Sequence, residues 1–142
     1  MGEDPKKLLL ARAIQLFMPG KPQVWYLDLF AGKNNHEAVK KAGPSGHKEI
    51  NRTNLSLEQA QEEMQQTVVQ EQLELLRFRN TFPAFGFDAE LTVLESDSHI
   101  LKLMWKKNGY SATLEADLKD SSYHIVGKDA EGNILHTFNN QV

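Results

Sequence analysis

Lys33, Asn34 and Asn35 follow Gly32 at the end of an apolar run, Val24-Trp25-Tyr26-Leu27-Asp28-Leu29-Phe30. In a β/α repeat, ligand-contacting residues sit on loops at the carboxyl ends of strands, and this loop has that placement. It is not a phosphate cradle of the nucleotide-binding kind, because the full glycine spacing and a following Lys-Ser/Thr are missing. The same residues also read as a plain loop in which Asn34 or Asn35 caps the next helix. Asp28 stands among Leu27, Leu29 and Phe30, where a carboxylate must be hydrogen-bonded, paired or placed at a rim. Further on, Glu49 and Arg52 have the spacing of a local ion pair. Trp25, Tyr26 and Trp105 are able to stack on sugar rings, but each falls within an expected strand, which favours a core role. His36, His47, His99, His124 and His136 are scattered without metal-ligand spacing, so no metal site and no cofactor is expected.

Composition narrows the choice of partner. The formal charge of -3 over 142 residues gives no electrostatic footprint for nucleic acid, and no run approaches the roughly 18 apolar residues that span a bilayer. Cysteine is absent, which excludes disulfides, thiolate metal sites and thiol nucleophiles and suits a reducing cytoplasm. Lys6-Lys7 before Leu8-Leu9-Leu10 superficially resembles a secretory leader; Arg12 and Gln15 interrupt the apolar run, and a helix is the expectation.

The elements that must hold these residues are legible in outline. Asp4-Pro5 opens a helix, Leu9, Ala13, Leu16 and Phe17 give it an apolar stripe, and Pro19-Gly20 ends it. Val24–Phe30, apolar on both faces, reads as a strand covered on both sides, with nothing nearby to pair against. A short helix near His36–Lys41 lies in an otherwise irregular stretch. Ser56 with Gln59 and Thr67 with Gln70 read as capping boxes that open two further helices. After Gly86 the period becomes alternating. Strands are expected around Leu91–Val93, Ile100–Trp105, Ala112–Leu118, Ser122–Gly127 and Ile134–Phe138, with Asn108-Gly109 as a type I′ hairpin turn.

Taken in order, Ala11-Arg12-Ala13-Ile14-Gln15-Leu16-Phe17-Met18-Pro19-Gly20, Pro22-Gln23-Val24-Trp25-Tyr26, Ala31-Gly32-Lys33-Asn34, Glu49-Ile50-Asn51-Arg52, Leu75-Leu76-Arg77-Phe78-Arg79-Asn80 and Pro83-Ala84-Phe85 resemble the C-terminal part of the sucrose phosphorylases. These are glycoside phosphorylases of the α-amylase superfamily. The resemblance implies an α+β chain in which the last elements of a (β/α)8 barrel (residues 1–86) precede a five-stranded antiparallel domain (residues 87–142). It implies a parent that cleaves an α-glucoside with retention and passes the glucosyl group to phosphate, its co-substrate. It also implies that the catalytic carboxylates lie upstream, leaving none here and making this chain inactive alone. Lys48, Glu49, Asn51 and Arg52, with Lys33 and Asn34, are then the expected substrate-binding residues. Lys48 stands where the family carries arginine, a departure that bears on specificity because the two are not interchangeable. A partial barrel should expose the apolar faces of residues 8–17 and 22–30 and self-associate through them. The alternative is a free-standing carbohydrate-binding or protein-interaction module.

Overall fold

In a computed structural model, which describes residues 3–140, five helices are followed by a five-stranded antiparallel sheet. Helix α1 (Pro5–Phe17) starts where expected: Asp4 Oδ1 accepts from the amides of Lys6 and Lys7, and Pro5 occupies the first turn. It ends at Met18, followed by Pro19 and by Gly20 at φ +97°.

Val24–Phe30 is not a strand. Trp25 is extended (φ −73°, ψ 139°), but the chain then turns into a single helical turn, α2 (Tyr26–Leu29), closed by Leu29 N–H to Trp25 C=O and Phe30 N–H to Tyr26 C=O, each 3.0 Å. An apolar run this short has no period that separates strand from buried helix. A strand must also satisfy its amides on a neighbour, and the one sheet among the described residues contains only strands from residue 90 onward. The turn satisfies the Leu29 and Phe30 amides locally.

Helix α3 (His36–Ala42) runs into a 3-10 segment, Gly43–Asn51. Helix α4 (Leu57–Glu63) carries the reciprocal capping box of Ser56 and Gln59. Helix α5 (Thr67–Thr81) lacks the second box: Gln66 is its N-cap, with no side-chain cap bond, and the Gln70 side-chain amide donates instead to the Met64 carbonyl.

Strands β1 (Glu90–Leu94), β2 (Ile100–Lys107), β3 (Tyr110–Asp117), β4 (Ser122–Lys128) and β5 (Ile134–Asn139) form a meander in sequence order. Asn108 (φ +50°) and Gly109 (φ +83°) make the β2–β3 turn, both in the left-handed region that a type I′ turn demands. One face of the sheet carries Leu103 and Trp105, then Ala112, Leu114 and Ala116, then Tyr123, Ile125 and Gly127, all buried. Leu118, expected on that face, lies beyond the strand and is exposed.

Helices α1 and α5 pack on this face, and a single apolar core joins Leu9, Leu16 and Phe17 to Leu75, Phe78, Leu114 and Ile125. Small residues on β3 and β4 admit the helices closely; a Cβ on Gly127 would stand 3.0 Å from the rings of Phe78 and Phe82. The indole N–H of Trp105 donates to the Phe17 carbonyl at 2.8 Å, locking the end of α1 to β2. The apolar face of residues 8–17 is therefore largely covered within one chain, by α5 and the sheet, contrary to the expectation that it lies open. Trp25, expected in the core, is 48% exposed, whereas Trp105 is buried.

Candidate functional site

The loop after α2 is shaped by its own residues and by a buried neighbour. Leu27, almost fully buried, anchors the turn, and its carbonyl accepts from the Gly32 amide at 2.8 Å. Ala31 has φ +51°, and a Cβ on Gly32 would overlap the Leu27 side chain, so glycine is required there by contact. Lys33 and Asn34 emerge exposed. Asn34 N–H donates to Glu3 Oε1 at 2.9 Å. Asn35 is the helix cap, its Oδ1 accepting from Ala38 N–H at 2.9 Å.

The second expected group lies alongside. Asn35 N–H donates to the Ile50 carbonyl at 2.7 Å, and Thr53 Oγ1 reaches the Lys33 carbonyl at 3.5 Å. The α2 turn binds the same stretch: Trp25 Nε1 donates to the Asn51 carbonyl at 2.9 Å and the Tyr26 hydroxyl to the Thr53 carbonyl at 2.7 Å. Residues 25–35 and 50–53 are thus stitched into one double loop.

The predicted residues divide within it. Lys33 and Asn34 line a cleft of about 800 Å3, together with Asp28, Thr53, Leu55 and Glu63. Lys48, Glu49, Asn51 and Arg52 do not line it. Glu49 and Arg52 form the local ion pair, 3.2 Å apart and partly exposed, a geometry worth about 0–1 kcal/mol. Lys48 is exposed, without a carboxylate in ion-pair range among the described residues. Asp28 is exposed at the cleft wall, where it partly offsets the burial that lowers the pKa of Arg12. Among the described residues no group of histidines and carboxylates is placed to hold a metal ion, and no helix is long and apolar enough to cross a membrane.

Sequence reading missed Gln72. It is fully buried in α5, accepts from Arg12 Nε at 2.9 Å, and donates from Nε2 to the carbonyls of Asp28 (3.2 Å) and Leu29 (3.0 Å). The available signal was its place between Val69 and Leu75, a carboxamide inside an apolar stripe.

No protein-family model matches the chain. It is 50% identical to a sucrose 6(F)-phosphate phosphorylase of Ilumatobacter coccineus over 89% of this chain and 24% of that protein. It is 44% identical to the sucrose 6(F)-phosphate phosphorylase of Thermoanaerobacterium thermosaccharolyticum over 82% of this chain and 23% of that one. A glucosylglycerol phosphorylase of Marinobacter adhaerens is 37% identical over 87% and 25% respectively. The crystal structure of sucrose 6F-phosphate phosphorylase from Thermoanaerobacter thermosaccharolyticum superposes with a TM-score of 0.83 at 40% identity, over 95% of this chain and 26% of that structure. The chain spans about a quarter of the length of the curated relatives it matches. In sequence and in fold, it is a relative of the C-terminal part of the sucrose phosphorylases and their close glycoside-phosphorylase kin.

Proposed function

We propose that this chain is the C-terminal part of a retaining α-glucoside phosphorylase, with residues 1–86 supplying the last elements of a (β/α)8 barrel and residues 87–142 the β domain that follows. The observation that carries the reading is a superposition over 95% of the chain on a quarter of a phosphorylase at 40% identity. A retaining mechanism needs two carboxyl groups about 5–5.5 Å apart on a rigid scaffold. In this reading those groups belong to the preceding three quarters, and the chain alone turns over nothing. Its contribution is a wall of the sugar pocket. Lys33 and Asn34 face the substrate from the cleft, while the stretch Lys48–Arg52, tied to them through Ile50 and Thr53, borders the acceptor side. Lys48 offers a point charge where arginine would offer a fork, which suits an anionic acceptor without bidentate geometry. Phosphate is the co-substrate, no further cofactor is required, and the lack of cysteine suits a reducing cytoplasm.

The test is a chimera in which this chain replaces the matching quarter of the Thermoanaerobacterium enzyme. Release of glucose 1-phosphate from sucrose or its 6F-phosphate is expected from the chimera and not from the chain alone. A chimera that folds but performs no phosphorolysis rejects the reading, and saturable binding of sucrose by the isolated chain favours a free-standing binding module.

A further inference from the structure

Helix α2 is one turn long, below the length at which a helix sustains itself, yet it sets the direction of the loop that lines the cleft. Its C-terminal carbonyls are orphaned by the geometry of any helix end. Gln72 donates to two of them from α5, across more than 40 positions of sequence: to the Leu29 carbonyl, and to the Asp28 carbonyl alongside the Ala31 N–H at 3.2 Å. A carboxamide is able to present either its oxygen or its nitrogen to such carbonyls, and only the nitrogen donates. Arg12 decides which. Its Nε donates to Gln72 Oε1, and an arginine has no acceptor, so the oxygen must face Arg12 and the NH2 must face α2. Arg12 is itself held by Gln15 Oε1, and Gln15 Nε2 donates to the Gln23 carbonyl on the approach to α2. This network is buried at its centre, with Gln72 0% and Arg12 5% exposed.

We infer that Gln72, oriented by Arg12, is a positioning residue that fixes the Gly32–Asn34 wall of the cleft through the Asp28 and Leu29 carbonyls. Its consequence for substrate rests on the phosphorylase reading; its consequence for the loop does not.

Two variants separate positioning from mere packing. Gln72→Glu keeps the volume and strengthens the contact to Arg12, but an ionised carboxylate has no donor for the α2 carbonyls. Gln72→Leu removes both contacts. In amide hydrogen exchange on the full chain, both variants should speed exchange at Gly32 and Asn35 by roughly tenfold or more, the scale of losing two part-buried hydrogen bonds, while β2–β4 amides keep their protection. Packing alone would leave Gln72→Glu close to wild type. Unchanged protection of Gly32 and Asn35 in Gln72→Glu overturns the inference, as does a loss spread equally over the sheet. In the chimera, Gln72→Glu should raise KM more than it lowers kcat. Freed loop amides with an unmoved KM would leave the relay standing and remove the loop from the sugar pocket.

Discussion

Gly127 shows how little room the core leaves. It lies on the helix-facing side of β4, where the rings of Phe78 and Phe82 would meet any Cβ at 3.0 Å. Phe78 is also in ring contact with Phe82, Phe85, His136 and Phe138, so it is not free to retreat. Gly127→Ala should therefore destabilise by about 1–3 kcal/mol, the range for overfilling a packed site, read as a lower urea midpoint at unchanged slope. A midpoint equal to wild type would mean that the aromatic cluster yields. The opposite case is Glu49→Gln, which breaks a partly exposed pair at 3.2 Å and should move stability by less than about 1 kcal/mol. If the phosphorylase reading holds, any larger effect of that substitution belongs to substrate binding, visible in KM.

Carboxylates pin the strand ends of the sheet. Asp129 accepts from Asn133 N–H at 2.7 Å, Asp120 accepts from Ser122, and Asp88 pairs with Lys107 at 2.6 Å. These hydrogen bonds lower all three carboxyl pKa values from the ordinary 3.8. A lowered folded-state pKa contributes stability that is full above the ordinary value and is lost as pH falls through the lowered one. Denaturation midpoints should thus decline as pH falls through the ordinary 3.8 and below it, and Asp129→Asn should flatten part of that decline; stabilisation on acidification would contradict the sign. Such elements were legible because their signals are local. Asn108-Gly109, the alternation in β3 and the Ser56–Gln59 box each act within a few residues, and each is present. Val24–Phe30 was misread because strand and buried turn share an apolar run, and the choice between them depends on a neighbour the sequence does not reveal. The candidate site was half legible. Lys33 and Asn34 reach the cleft, whereas the role of Gln72 depends on Arg12 and α2, which only the fold brings together.

At the scale of the molecule, α1 belongs to the sheet as much as to the helices. Its burial against α5, β3 and β4 predicts one cooperative thermal transition, with Trp105 fluorescence and far-ultraviolet circular dichroism melting together. Separate transitions would mean that the helical and sheet halves fold independently. The burial also redirects the self-association expected from the sequence; we propose that it draws on side chains such as Phe87, 95% exposed, with Trp25 and Leu57. Light scattering at micromolar concentration should show a mass above that of the monomer, and Phe87→Ser should reduce it. A wild-type chain that scatters as a monomer removes this surface from consideration.

The bond from Trp105 to Phe17 closes a span of 88 residues. A chain growing at about 5–20 residues per second leaves the apolar side of α1 without its sheet cover for roughly 4–18 s. Over that interval the nascent polypeptide is most open to chaperones and to mispairing, so synthesis speed should govern the yield of native product more than the final stability does.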